Sequence, residues 1–168
     1  MCIRDRVGAA FSSLVGESFE VGPISSGPGG IAKVLARVRI DEPEITRDVG
    51  ELITFEVQIP LTIRLLVDLK VDRIKYDVDG RVALALTARA AEPLELRIEV
   101  QPPKPRDVTV GVASHNLRGE IIRVVGQIDD EIKRVIAKHV AAEIDKPEIR
   151  KARIIDVSTE LGRAFESL

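Results

Sequence analysis

Histidine is the side chain that most readily exchanges a proton near neutral pH, and the chain contains two, His115 and His139. Nucleophilic catalysis would need a serine or cysteine beside such a base, and zinc binding would need further ligands at characteristic spacings. The sequence certifies no such companion for either histidine. We therefore expect a structural or surface role for both, and a protein that is not an enzyme.

Other residues of chemical interest are equally isolated. Asp129, Asp130 and Glu131 occupy consecutive positions of a helical pattern, so their carboxylates point in different directions and are not expected to share a metal ion. The glycine-rich run at 27–30 lacks the Lys-Ser/Thr pair of a P-loop, which favours a plain loop. Cys2 is the single cysteine, which excludes an intrachain disulfide and a thiolate cluster. We expect neither a metal nor a cofactor.

Composition narrows the choice of partner. A net charge of −2 and a pI near 5.8 argue against nucleic acid, because phosphate neutralisation needs a basic surface. An aromatic content of 3% offers few platforms for base stacking. Lys104, Arg106 and Asp107 place charge after a proline-rich stretch, where it could meet an anionic headgroup, although we favour ordinary loop solubility.

The first residues bear on where the natural protein begins. The run MCIRDR at 1–6 resembles a translated sequencing adapter, of the kind found at the start of reading frames from metagenomic assemblies. We therefore expect the natural N-terminus to be missing, which leaves the cellular compartment open. The sequence contains no uninterrupted apolar run of about 18 residues, the length that a transmembrane helix needs.

The elements that would position these residues are mostly strands. Apolar and polar residues alternate with a period of two, as in strands with one buried face, over 31–40, 53–59, 61–71, 82–88, 94–100 and 108–112. The stretch 61–71 would extend roughly 37 Å, beyond the usual strand length. Asp79-Gly80 predicts a tight hairpin turn, Pro60 predicts a bend, bulge or edge, and 154–157 predicts a short final strand.

A sustained helical period occurs at 116–145. Apolar residues recur there at three- and four-residue steps and form one broad stripe, which includes Ile128, Ile132, Ile136, Val140 and Ile144. Asn116 can cap the first turn and Pro147 marks the exit. Gly119 and Gly126 are weak points at which the helix could begin or bend.

These patterns predict an α+β fold, in which a long, curved antiparallel β-meander is wrapped around one long amphipathic C-terminal helix. We expect residues 31–168 to form this single domain, since 168 residues suffice for one sizeable core. Residues 1–30 are expected to be a truncated or partly irregular N-terminal segment. Strands and helices do not alternate, which argues against a parallel nucleotide-binding sheet.

One family shares this order of elements. Alternating strands with a corner at 92–94 are followed by a proline-containing break at 102–105, a long helix at 121–144 and a last short strand at 153–157. In this order the region 80–157 resembles the tubular lipid-binding (TULIP) superfamily, and within it the synaptotagmin-like mitochondrial-lipid-binding (SMP) domains. In that family a twisted antiparallel sheet wraps a long helix and encloses an apolar channel for lipid tails. The resemblance implies non-catalytic lipid binding and transfers no individual functional residue.

The unusual feature of this sequence is the large amount of aliphatic surface on its predicted strands and helix. We expect an apolar groove between sheet and helix that binds a lipid or another elongated hydrophobic molecule, with a peripheral membrane contact as a further option. The residues expected to line the groove are Leu65, Leu69, Leu84, Leu86, Leu96, Ile98, Ile132 and Ile136. One alternative is a helix-grip (START-like) domain for ligand binding or a cyclase-type reaction, which would place two short helices after its first strand. Another is a structural or interaction module that packs shut.

Overall fold

A computed structural model describes residues 3–26, 32–50, 52–70, 73–91, 95–111 and 119–156. Within these ranges the chain forms, in order, α1 (Ile3–Phe11), β1 (Ser18–Ser26), β2 (Ala32–Ile40), β3 (Glu44–Val49), β4 (Ile53–Asp68), β5 (Arg73–Ala91), β6 (Glu95–Val100), β7 (Val108–Gly111), α2 (Gly119–Ile144), α3 (Pro147–Ala152) and β8 (Ile154–Asp156). The helices contain no described segment that is long and apolar enough to cross a membrane.

The strands form one curled antiparallel sheet, a half-barrel built on the long β4–β5 hairpin. On its free side β4 pairs with β3 along its first half and with β2 along its second half. On the opposite side β5 pairs first with β7 and then with β6. β1 extends the sheet beyond β2, and β8 extends it beyond β6. The predicted antiparallel sheet and final short strand are confirmed.

The period-two alternation explains which side of the sheet is buried. On β2 and β4 every second residue faces the core, as in Val34, Val38, Ile63 and Leu65, while the residues between them are exposed or partly exposed. We call the buried side the inner face. The stripe of α2 is buried as predicted from Ile128 onward.

Helices pack against the edges of the half-barrel. α2 packs against β1 and β7, which are edge strands on opposite sides of the sheet. α1 packs against β3 and α3, and α3 packs against β8. The sheet therefore has two halves: a hairpin half, with β1, β2 and β7 and contacts to α2, and a far half, with β3, β6 and β8 and contacts to α1 and α3.

The predicted hairpin at Asp79-Gly80 is wrong. β5 runs through both residues, which pair with β4 on one side and with β7 on the other. The surroundings of Gly80 are tightly packed, because a Cβ there would lie 3.0 Å from Ile63 Cδ1 and 3.3 Å from Thr109 O. The chain reverses between β4 and β5 instead, where Lys70 has φ 70° and its N–H donates to Asp68 Oδ1 at 3.0 Å.

Pro60 lies inside β4, at the point where the neighbouring strand changes from β3 to β2. Its carbonyl accepts a hydrogen bond from Asp41 N at 2.9 Å, between these two strands. In an extended strand the N–H and C=O of one residue point to the same side, so the missing N–H of Pro60 also faces this junction. Proline is therefore tolerated in a strand that is otherwise paired on both sides.

The N-terminal segment is more regular than we predicted for 1–30. α1 buries Val7 and Phe11, and β1 is paired with β2 along its length. The alternation of β1 is hidden in the sequence because the register shifts between Val21 and Ile24. The predicted loop at 27–30 lies outside the described residues.

α2 begins at Gly119, one of the two glycines singled out as a start, and α3 begins at Pro147. Several predictions fall on residues that are not described: the cap at Asn116, the corner at 92–94 and the environment of His115.

Candidate functional site

The eight residues predicted to line a groove belong to one apolar cluster on the inner face and α2. Six of them are 4% exposed or less: Leu65, Leu84, Leu86, Ile98, Ile132 and Ile136. Leu69 and Leu96 are partly buried and pack against this cluster. The structure therefore brings all eight to the core, and six of them are closely packed.

These residues are spread along the half-barrel. Leu65 of β4 pairs with Tyr76, whereas Leu86 of β5 pairs with Phe55, near the other end of β4. At about 3.3 Å per residue, Leu65 and Phe55 are on the order of 33 Å apart. The eight residues therefore define an elongated apolar surface, and a chain-like molecule matches its shape better than a compact one does.

The inner face becomes less buried toward the β4–β5 turn. The row of cross-strand neighbours nearest this turn runs Ile24, Val34, Val67, Ile74 across four strands. Val34 and Val67 in the middle are buried, while Ile24 and Ile74 at the sides are only partly buried, as is Leu69 beyond them. We call this region the hairpin end. Apolar side chains of the inner face are partly exposed here, as Ile53, Leu96 and Val100 also are in the far half.

A cavity of about 430 Å³ lies beside the hairpin end and includes residues of the outer face. Leu35 and Leu66 stand directly opposite each other on β2 and β4, and Lys33 and Lys75 are nearby. Among the lining residues that the structure describes, the single acid is Asp68, which lies 3.7 Å from the Arg73 guanidinium. We call Lys33, Leu35, Leu66, Arg73 and Lys75 the outer patch. It combines apolar surface with excess positive charge.

A second outer-face cavity, of about 670 Å³, reaches from β3 to the loop before β7. Lys104 and Arg106 line it, as we noted for a contact with an anionic headgroup, but so do Asp107 and Glu56. Asp107 also accepts a hydrogen bond from Lys104 N at 2.8 Å. Because opposite charges are present together, this cavity has no clear preference for an anion.

The expectation that His139 has no carboxylate companion is wrong. One ligand atom from each of Glu17, His139 and Glu143 lies within 4.8 Å of the others. His139 Nε2 is 3.7 Å from Glu143 Oε1, and Lys146 Nζ is 2.7 Å from Glu143 Oε2. We call these four residues the acid–histidine cluster. It adjoins a cavity of about 470 Å³ that Glu17, Glu143 and Lys146 help to line.

Backbone and ring contacts hold the cluster in place. His139 and Glu143 are one turn apart on α2, so both project from the same side of the helix. The His139 ring stacks on Phe19 of β1 with centroids 3.8 Å apart. Glu17 precedes β1, and its carbonyl accepts a hydrogen bond from Ile40 N at 2.9 Å. The cluster thus joins the C-terminal half of α2 to the start of β1.

The electrostatics of the cluster are those of crowded, partly buried groups. Burial, with the charge of Glu143 and a hydrogen bond to it, raises the pKa of Glu17. Burial acts against ionisation of Glu143 as well, but Lys146, together with smaller contributions from Glu17 and His139, outweighs it, so the pKa of Glu143 is lowered. Burial lowers the pKa of His139, and Glu143 only partly offsets this. The neutral imidazole is therefore favoured beside a carboxylate pair.

Part of this cluster was visible in the sequence. The four-residue spacing of His139 and Glu143 predicts a shared helix face once the helix is accepted. Glu17 comes from the segment that we predicted to be truncated or partly irregular, and only the fold brings it to the helix. Comparison with the models of known protein families and with curated proteins finds no match to this chain.

Proposed function

We propose that the protein binds an elongated hydrophobic molecule, such as a lipid acyl chain, without catalysis. In this proposal the curled sheet wraps around α2, as in the TULIP and SMP-type domains that the sequence resembles, and the chain lies against the inner face. The observation that carries it is the continuous apolar inner face, whose side chains Ile24, Leu69 and Ile74 are only partly buried at the hairpin end. The acyl chain would therefore enter at the hairpin end, between Ile24 on β1 and Ile74 on β5.

The energetics support a weak to moderate affinity. Transfer of one methylene from water to an apolar environment is worth about 0.8 kcal/mol. An acyl chain that reached only the partly exposed residues of the hairpin end could still reach micromolar affinity after the cost of association. Deeper insertion would require the buried residues, Leu65 among them, to separate. Affinity should thus rise with chain length and respond little to salt.

The outer patch supports a peripheral membrane contact as part of the same function. Leu35 and Leu66 could insert among lipid tails while Lys33 and Lys75 face anionic headgroups. The patch and the hairpin end share the ends of β2, β4 and β5. A protein docked through this patch would hold the entry next to the membrane surface.

The test is a titration of the purified protein with a fluorescent fatty-acyl probe, beside mass spectrometry of an organic-solvent extract. Leu69→Asp places a charge at the hairpin end and should weaken probe binding at least about tenfold, because a carboxylate is poorly tolerated next to an acyl chain. Leu52→Asp is the matched control, since Leu52 is 47% exposed and lies at the opposite end of β4. It should leave binding unchanged.

Absence of both bound lipid and probe binding in the wild-type protein would refute the proposal. So would equal effects of Leu69→Asp and Leu52→Asp.

The membrane contact is tested by sedimentation with phosphatidylserine-containing vesicles. The amount of protein that sediments should fall when Lys33 and Lys75 are both changed to Glu, while neutral vesicles should bind neither the wild type nor the variant. Unchanged sedimentation of the double variant would show that the outer patch is not a membrane contact.

A closed structural or interaction module is the second candidate. It is favoured by the burial of Leu65, Leu84, Ile132 and Ile136, each 1% exposed or less, which leaves little empty space around them. The helix-grip alternative fits less well, because β1 and β2 are separated by the five residues 27–31, too few for the two helices that this fold places there.

A further inference from the structure

We propose that Glu17, His139 and Glu143 form a binding site for a divalent transition-metal ion, for which Zn²⁺ is the best match. The site is independent of the hydrophobic ligand, and it connects the start of β1 to α2. The argument uses the positions of the three side chains, their anchoring and the chemistry of their donor atoms.

The three side chains are close to ligand geometry already. Two atoms that each lie about 2.1 Å from a tetrahedral ion are about 3.4 Å from one another. His139 Nε2 and Glu143 Oε1 are 3.7 Å apart, and the complete set falls within 4.8 Å. Small rotations of the two glutamate side chains would therefore suffice to enclose an ion, without movement of the backbone.

Anchoring reduces the entropy that binding would cost. The stacked ring of Phe19 fixes the His139 imidazole, and Glu143 is only 7% exposed. Among the described residues, Glu143 is the single buried charged side chain. The charge of a carboxylate held in this position must be balanced by a cation, which is the Lys146 ammonium group in the metal-free protein. The arrangement is thus better ordered than a chance group of surface acids.

The donor atoms select the class of metal. One imidazole nitrogen and two carboxylate oxygens suit zinc and its neighbours, whereas calcium and magnesium prefer oxygen alone. Three protein ligands leave a fourth position of a tetrahedral ion for water. The adjoining cavity of about 470 Å³, lined by Glu17 and Glu143, provides room for it.

Lys146 is the competitor at this site. Its ammonium group lies 2.7 Å from Glu143 Oε2, so it balances the carboxylate in the metal-free protein. A metal ion would displace it toward the cavity, where the side chain is already about half exposed. Removal of this positive charge should therefore strengthen metal binding, whereas removal of a ligand should weaken it.

The experiment is calorimetric titration of the EDTA-treated full chain with ZnCl₂, supported by the visible spectrum after addition of CoCl₂. Wild-type protein should bind one equivalent and give the intense d–d absorption of four- or five-coordinate cobalt. His139→Gln and Glu143→Gln should each lower affinity at least about tenfold. Lys146→Met should raise it several-fold, an effect that a variant with damaged folding would not produce.

Glu148→Gln is the matched control, because Glu148 lines the same cavity but is not one of the three ligands. It should bind zinc as the wild type does, with an unchanged circular dichroism spectrum. The proposal is overturned if wild-type protein binds neither metal, if Lys146→Met weakens binding, or if binding persists in His139→Gln and disappears in Cys2→Ser or His115→Gln. None of these results depends on whether the protein binds lipid.

Discussion

The far half and the hairpin half of the half-barrel are built from the same central hairpin but are covered differently. In the far half, α1 and α3 contribute buried apolar residues such as Val7, Phe11 and Ile149 to the core. Partly buried apolar residues occur in both halves, Ile74 and Leu69 in the hairpin half and Ile53 and Leu96 in the far half. What distinguishes the far half is the set of buried core residues that α1 and α3 add to it. The hairpin half retains apolar surface that a ligand could cover.

The largest expected effect compares a buried position with one at the hairpin end. Ile136→Asp places an unpaired charge at a fully buried site and should lower the free energy of unfolding by about 5 kcal/mol, enough to unfold many domains of this size. Ile74→Asp should cost far less, because its carboxylate can reach water. Urea denaturation followed by circular dichroism measures both. Similar losses in the free energy of unfolding for the two variants would mean that Ile74 is as inaccessible to water as Ile136 is.

A smaller effect is expected from a pair of variants, one of which should lose stability and the other ligand binding. Phe11→Ala removes a side chain that is 1% exposed in the far half and should cost about 3–5 kcal/mol. Below its melting temperature the variant should bind the fatty-acyl probe as well as wild type does. Leu69→Asp should show the reverse, with weak binding and little loss of stability. A joint loss of stability and binding in both variants would contradict the division into two halves.

The smallest expected effect on stability concerns Gly80, where β5 is paired with β4 on one side and with β7 on the other. Gly80→Ala should lower the free energy of unfolding by about 1–3 kcal/mol, since the new Cβ would press on Ile63 and on the Thr109 carbonyl. Gly111→Ala is the control, because its Cβ would lie at an ordinary 3.6 Å from Asp79 O. Thermal unfolding would compare them. Equal melting temperatures for the two variants would show that the sheet yields at Gly80.

Sequence patterns were most informative where the structure repeats. The period of two correctly placed Leu65, Leu84 and Leu86 on the buried face, since a shift of one residue would expose all of them. The period of 3.6 similarly identified the stripe of α2 through Ile132 and Ile136. These features depend on neighbours along the chain, so the sequence contains them directly.

Sequence patterns failed at single residues whose role depends on a contact with a segment that is distant in the sequence. Asp79-Gly80 has the composition of a turn, but Gly80 lies inside β5, where Ile63 and Thr109 pack closely around it. The actual turn was missed because alternation continues past Leu69 to Val71, and the shift of the apolar residues from odd to even positions between Val71 and Ile74 was not interpreted as a turn. Glu17 joins His139 through the packing of α2 against β1, and no local pattern records that contact.

The β4–β5 hairpin has a consequence for how the chain finds its structure. Its sixteen rows of paired residues, from Asp68–Arg73 to Ile53–Ala88, extend from one short connection. Pairs next to that connection are close in sequence and close early, and each row then reduces the loop that the next must close. We expect folding to propagate outward from the Lys70 turn. The alignment adopted in those first few residues is then inherited by β2, β3, β6 and β7, which join an existing template.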